Sequence, residues 1–445
     1  MARMRRRAFL KFAGMAPAFL TLSRSPAAKP LDKQPNILLI NADDHRFDTI
    51  HALGNPDIKT PNLDRLAKRG FAFDNVYSQG GMISAMCLPS RTMLMTGLSL
   101  FHIPTREDNK GGNYPLLPKV MREAGYVTFR IGKRGGTDFA PACNAFDKNI
   151  NSSTDAADRA QQSEIHADAT IEFIRGLRPD QRFFACLAPC VPHDPRVAPK
   201  KFMDMYKADK IPLPPNFMPQ HPFDNGDLQT RDEMLAPIPR TPELMRQHIA
   251  DYYACITCLD FHIGRVLAAL DETGLARNTI VIFTGDQGLA VGGRHGLMGK
   301  QNLYEHFKSP LIICGPGIPH GRSSALVYTF DLFSTICDLA GAKLPDAVEG
   351  SSLAPIVRGE KPQWREWLFA AYKDCQRMIR NQRFKFFWYP KIGKFQLFDL
   401  ANDPWEINDL SEKAEFAATL AEMKKRLAEY QEKFDDDNAP RPLTR

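Results

Sequence analysis

Apolar residues in this chain come in short unbroken runs that end at glycine, acidic or amide positions. The first is Asn36-Ile-Leu-Leu-Ile-Asn41, which gives way to Ala42-Asp43-Asp44. A run without alternation predicts a strand covered on both faces. Runs of the same kind predict strands at Phe71–Tyr77, Tyr126–Ile131, Phe183–Leu187, Thr279–Thr284 and Pro310–Cys314. Helical signals lie between them. Thr60-Pro61 opens one helix, with threonine at the cap and proline in the first turn. Ser90–Gly97 starts another, and Glu243–Leu270 is a third. Strands alternating with helices predict an α/β fold, a doubly wound and mostly parallel sheet flanked by helices. Residues 197–242 are rich in proline and lack a period, which predicts a long surface excursion beside the functional site.

Beyond about residue 350 the pattern shortens. Trp367–Tyr372, Met378–Arg380, Phe384–Tyr389 and Phe395–Asp399 read as short antiparallel strands. Glu412–Phe434 reads as a charged amphipathic helix, with Leu420, Met423, Leu427 and Tyr430 on one face. The predicted organisation is a leader over residues 1–30, a catalytic α/β domain over 33–345, and a smaller C-terminal α+β subdomain over 346–445. There is no internal repeat and no low-complexity tract.

Composition changes this picture in two places. A length of 445 residues is enough for one large core and a smaller partner, and 43% hydrophobic with 24% charged residues is ordinary for a globular chain. The net charge of +7 is carried by Arg3, Arg5, Arg6, Arg7, Lys11, Arg24 and Lys29, with no acidic residue among them, so the rest of the chain is neutral and no nucleic-acid footprint remains. Arg6-Arg7-Ala8-Phe9-Leu10-Lys11, then apolar Phe12–Leu22, then Ser25-Pro26-Ala27-Ala28, have the layout of a twin-arginine export signal with a cleavage region. That predicts a periplasmic or extracellular protein. No later stretch reads as a membrane span. Cys255 and Cys258, and likewise Cys186 and Cys190, lack a second pair to complete a zinc site and read as packing.

The most informative motif is Cys87-Leu88-Pro89-Ser90-Arg91, followed by Thr96-Gly97. It resembles the C-x-P-S-R…TG stretch of type I sulfatases, and Leu397-Phe-Asp-Leu-Ala-Asn-Asp-Pro-Trp-Glu406 resembles the L-x-D-L…DP-x-E segment of their C-terminal subdomains. The resemblance implies an alkaline-phosphatase-like fold. It also implies that Cys87 is oxidised to formylglycine (3-oxoalanine) by a formylglycine-generating enzyme that reads the proline and arginine. One hydroxyl of the hydrated aldehyde then attacks sulfur and the other collapses to release sulfate.

Ligands of open α/β sheets sit beyond the carboxyl ends of the strands. Asp43 and Asp44 end one apolar run, and Asp286 and Gln287 end another. Three carboxylates and an amide oxygen suit a hard divalent cation, and the resemblance places these four and the formylglycine oxygen at Cys87 around one Ca2+. A sulfate ester also needs cations at its nonbridging oxygens and a proton donor for the leaving oxygen. Arg91 lies one turn from Cys87. Lys133 in Gly132-Lys133, Lys300 in Gly299-Lys300 and His193 in Pro192-His193-Asp194 match the family's two sulfate lysines and its leaving-group histidine. His295, Arg134, His102 and Arg106, with Arg196 and Arg294, are candidate sugar or carboxylate contacts.

One position departs from the family pattern. A histidine normally stands two residues after the first lysine, and here that residue is Gly135. The reading is a sulfuric ester hydrolase acting on sulfated carbohydrate. Two others use the same residues: a phosphoester or phosphonate hydrolase on the same fold, and a non-catalytic binder of sulfated glycans, which Gly135 favours.

Overall fold

The protein is described by a computed structural model that covers residues 34–104, 114–133, 139–152 and 156–442. The twin-arginine leader, Arg106, Arg134 and Gly135 lie outside these residues.

The large sheet has eight strands in the order β5-β4-β6-β1-β7-β8-β2-β9. Their ranges are β1 Asn36–Ala42, β2 Phe71–Tyr77, β4 Tyr126–Gly132, β5 Lys148–Asn151, β6 Arg182–Ala188, β7 Thr279–Gly285, β8 Ser309–Cys314 and β9 Gly321–Tyr328. β8 runs antiparallel to both its neighbours, and every other pair is parallel.

Alternation along the buried strands sends neighbouring residues to opposite faces. Leu38, Ile40, Phe129, Phe183, Val281 and Phe283 pack under helices Pro61–Arg69, Gln162–Arg175 and Pro242–Glu272. Ile37, Leu39, Phe184, Ile280 and Ile282 pack with Leu94 and Met95 of helix Cys87–Thr96 and with helix Asp331–Ala340. Both faces are therefore covered, which is why the strands read as unbroken apolar runs.

Three expectations are corrected. The second helix begins at Cys87, not Ser90, so the cysteine is its first residue. Thr60 does stand at a helix cap, but its hydroxyl donates to the Asp64 carboxylate rather than capping a backbone N–H. Helix Pro242–Glu272 is long and apolar enough to cross a membrane by length and composition, contrary to the sequence reading, although 78% of its apolar window is buried inside the fold. Cys255 and Cys258 lie buried on this helix and, like Cys186 and Cys190, form no disulfide with each other.

The second sheet has the order β13-β12-β11-β10-β3, with β10 Leu368–Tyr372, β11 Gln376–Arg380, β12 Phe384–Tyr389 and β13 Lys394–Asp399 antiparallel in sequence. Helix Ala417–Lys433 packs on it through Met423 and Leu427. Its last strand comes from far upstream: β3, Gly80–Gly81, runs parallel to Ala371–Tyr372. A β-carbon at Gly80 would stand 1.9 Å from the Ala371 carbonyl oxygen, so only glycine permits that pairing. The core of this sheet also takes in Tyr77, Met86, Met93, Leu303 and Tyr304 from before residue 345. The C-terminal unit is thus packed into the first rather than appended to it.

Candidate active site

Four adjacent strands of the large sheet, β4, β6, β1 and β7, end on one edge. β1 delivers Asp43 and Asp44, β7 delivers Asp286 and Gln287, β4 delivers Lys133, and the turn after β6 delivers His193. The register Ala42↔Gly285 sets the two acidic pairs side by side. Asp44 takes a left-handed φ of 62°, and its carbonyl accepts from the buried Tyr252 hydroxyl at 2.6 Å.

Helix Cys87–Thr96 points its first turn at this edge. Cys87 Sγ lies 3.0 Å from Lys300 Nζ, 3.1 Å from Gln287 Nε2 and 3.5 Å from Asp44 Oδ1. Lys300 Nζ also donates to both Asp44 oxygens, at 3.0 and 2.9 Å. One turn further, Arg91 Nε donates to Asp286 Oδ2 at 2.9 Å, and Lys133 Nζ pairs with Asp43 Oδ2 at 2.6 Å. His193 Nδ1 donates to the Asp194 carbonyl at 2.8 Å, which leaves Nε2 facing Asp44 at 3.7 Å. Every residue expected at the centre of the site is in this cluster.

The electrostatics follow from crowding buried charges. Burial pushes the Asp286 carboxyl up to about 7, helped by the neighbouring Asp43 charge and only partly opposed by Arg91. Burial acts on Asp43 in the same direction, but Lys133, Arg91, His193 and Lys300 outweigh it and hold Asp43 well below the carboxylate range. Burial raises the Cys87 thiol well above its ordinary value, and Asp43 and Asp44 add to that. Burial lowers the His193 imidazole, against the pull of Asp44.

The donor set fits a hard cation. Ligand atoms of Asp43, Asp44, Cys87 and His193 fall within 4.8 Å of one another, with Asp286 bonded to the Asp44 backbone N–H beside them. Gln287 Oε1 is buried with no hydrogen-bond partner. Buried polar atoms are rarely left so, and three buried carboxylates with an orphaned amide oxygen are the surroundings of an oxygen-coordinated divalent ion. The terminal nitrogens of Arg91 are likewise buried without a hydrogen bond and suit anionic oxygens.

Above the cluster opens a cavity of about 480 Å³ lined by Cys87, Arg91, Lys133, His193 and Lys300 together with Ser84, Leu88, Phe139, Arg231, Asp232 and Gln301. Arg231 and Asp232 come from the proline-rich excursion, where nothing in strand pattern or motif marks them. Gln301 follows Lys300 directly, and that adjacency was its only signal. His295 and His102 stand apart from these residues. Neither lines the cavity. His295 is buried, pairs with Glu305 at 2.8 Å and stacks on Tyr304 with ring centroids 4.0 Å apart. His102 is held between Glu349 and Asp435, at 2.9 and 2.8 Å.

Comparison with known proteins agrees with this geometry. The sulfatase family model matches residues 35–342, and one described as N-sulphoglucosamine sulphohydrolase, C-terminal, matches residues 293–433. The chain is 27% identical over 495 residues to an N-acetylglucosamine-6-O-sulfatase of Bacteroides thetaiotaomicron, covering 91% of this chain and 88% of that one. A solved structure in complex with its substrate D-glucosamine-2-N,6-O-disulfate superposes with a TM-score of 0.77 at 25% identity, covering 91% and 99%. A phosphonate monoester hydrolase from Silicibacter pomeroyi superposes with a TM-score of 0.74 at 25% identity, covering 91% and 96%.

Proposed function

The chain belongs to the sulfatase family and is a sulfatase on the alkaline-phosphatase-like fold, and we propose that it removes sulfate from sulfated carbohydrates using a formylglycine made from Cys87 and one bound calcium ion. The observation that carries this reading is the position of Cys87: a buried cysteine at a helix start, between two acidic pairs and two lysines, at the floor of the cavity. A catalytic thiolate belongs in electropositive, partly exposed surroundings, whereas burial and two carboxylates keep this thiol protonated. A cysteine there makes sense as the precursor of another group. Converted, it supplies a hydrated-aldehyde hydroxyl as nucleophile.

Asp43, Asp44, Asp286 and the Gln287 oxygen would hold the calcium, which supplies positive charge next to that nucleophile. The chain's own groups do the rest. Arg91 offers its terminal nitrogens, which make no hydrogen bond, to nonbridging sulfate oxygens. Lys133 and Lys300 flank the same volume and orient the ester. Asp43 and Asp44 fix those lysines by direct ion pairs, so little reorganisation is left for the reaction. His193, once protonated on both nitrogens, a form that the Asp44 carboxylate favours against burial, passes its Nε2 proton to the leaving oxygen. The relatives that act on sulfated amino sugars support carbohydrate as the substrate class, and the leader at residues 6–28 supports export by the twin-arginine route.

The test is sulfate release from a panel of sulfated mono- and oligosaccharides. It uses calcium-loaded protein whose Cys87 is confirmed by mass as the aldehyde, beside Cys87→Ala. Release by the parent alone is expected. Binding of the panel by both proteins with release by neither would overturn the catalytic reading in favour of a glycan binder. The likeness to a phosphonate monoester hydrolase supports one second reading. Faster turnover of phosphonate monoesters than of any sulfate ester, with strong inhibition by inorganic phosphate, would establish it.

A further inference from the structure

The inner half of the cavity is built for an anion, and its outer half is not. Among the described residues, the cation at the mouth is Arg231, whose side chain is 61% exposed. Its guanidinium is already committed. It grips both Asp194 oxygens at 2.8 and 2.9 Å and reaches Asp232 Oδ1 with Nη2 at 2.6 Å and Nε at 3.1 Å. Two carboxylates share this one guanidinium.

Asp232 is the member of the trio that is buried and also lines the cavity, with 6% of its surface exposed. Its other oxygen accepts from Gln301 Nε2 at 2.9 Å, and Lys300 Nζ stands 3.6 Å away. Burial works against its charge, yet Lys300, Gln301 and Arg231 together bring the carboxyl down to about 2. It is ionised at any working pH. Gln301 is tied across to the Ser84 carbonyl at 3.2 Å, which locks this wall in place. Leu88 and Phe139 line the same cavity with apolar surface.

With a sulfate group held by Arg91, Lys133 and Lys300, the rest of the ester must lie in this outer half. A hydroxyl there can donate to Asp232. Among the described residues, a carboxylate or a second sulfate there meets a fixed like charge, and the exposed cation beside it, Arg231, is already paired with two carboxylates. Resting on the sulfatase reading above, we propose that Asp232 is a specificity-determining residue that selects an uncharged, hydroxyl-bearing, monosaccharide-sized leaving group. The volume of about 480 Å³ and the apolar contribution of Leu88 and Phe139 suit the ring of one such sugar.

The experiment compares galactose 6-sulfate with glucosamine 2-N,6-O-disulfate in two arms, kcat/KM with the calcium-loaded, aldehyde-bearing parent and equilibrium binding to Cys87→Ala. A preference of about tenfold or more for the neutral sugar is expected in both arms, from the like-charge penalty. Asp232→Asn should reduce that preference several-fold by admitting the disulfate, and Asp232→Glu should retain it. Equal affinity for the two ligands, a preference for the disulfate, or an Asp232→Asn variant that weakens both equally would overturn the proposal. The parent's own preference decides the matter even where Asp232→Asn does not fold. Failure of the sulfatase reading is a separate result, because it silences the kinetic arm and leaves the binding arm to report on charge.

Discussion

His193 shows how much a single contact settles. Its Nδ1 donates to the Asp194 carbonyl, so the ring is pinned and Nε2 is the nitrogen that faces the cavity. A proton donor matters most when the leaving oxygen is basic. His193→Ala should therefore lower kcat for a sugar sulfate by about a hundred- to ten-thousand-fold, while leaving nitrophenyl sulfate, whose leaving group needs no proton, within about tenfold of the parent. Steady-state kinetics on the two esters checks this, and equal losses on both would sink the assignment. At this scale the centre of the site was legible because its residues stand directly after apolar runs: Asp43, Lys133 and Asp286 each follow a strand within one or two residues. His295 misled because it lies in the same glycine-rich loop as Lys300. Its own left-handed φ of 51° belongs to a turn that sends the ring to Glu305 and Tyr304 instead.

Elements were legible where burial was complete on both faces and obscure elsewhere. β9 escaped notice because its first half, Gly321–Ala325, is polar and partly exposed, as suits the outer edge of the sheet. Helix Asp331–Ala340 went unread although Asp331, Ser334, Thr335 and Asp338 recur at helical spacing; eight of its ten residues are buried, polar ones included, so its polar face does not mark a solvent side. The join between β4 and Lys133 is the tightest element boundary at the site. Gly132 has φ 152°, and a β-carbon there would stand 1.9 Å from the Ala188 carbonyl oxygen on β6. Gly132→Ala should force β4 and β6 apart, costing about 2–4 kcal/mol of stability from overpacking and backbone strain together. Urea unfolding would measure that loss. A fall in kcat beyond what the remaining folded fraction explains should accompany it, since Lys133 moves with the strand end.

For the molecule as a whole, the carboxylate cluster couples stability to pH and to cations. The folded-state pKa of Asp286 is raised from an ordinary 3.8 to about 7, so its contribution is most favourable below pH 3.8 and is lost as pH rises through about 7. Asp43, held below its ordinary value, acts in the opposite sense, and its contribution is lost only as pH falls through that lowered pKa. Between pH 3.8 and about 7 Asp286 governs. The calcium ion proposed above would supply neutralising charge beside Asp286 in place of a proton. Millimolar calcium should then raise Tm more at pH 8 than at pH 5, and thermal melts with and without chelator at both values check it. A gain that is the same at both would break the link to Asp286.

The pairing of β3 with β10 has a consequence in time. Synthesis proceeds from the N-terminus, so Gly80–Gly81 leaves the ribosome nearly three hundred residues ahead of its partner Ala371–Tyr372. Until that partner arrives, the segment leading into Cys87 lacks its last anchor, and the thiol that ends 5% exposed is still within reach of another protein. The modifying enzyme that the proposed formylglycine requires would have a window that the chain's own completion closes. The length of chain still to be made would set how long that window lasts.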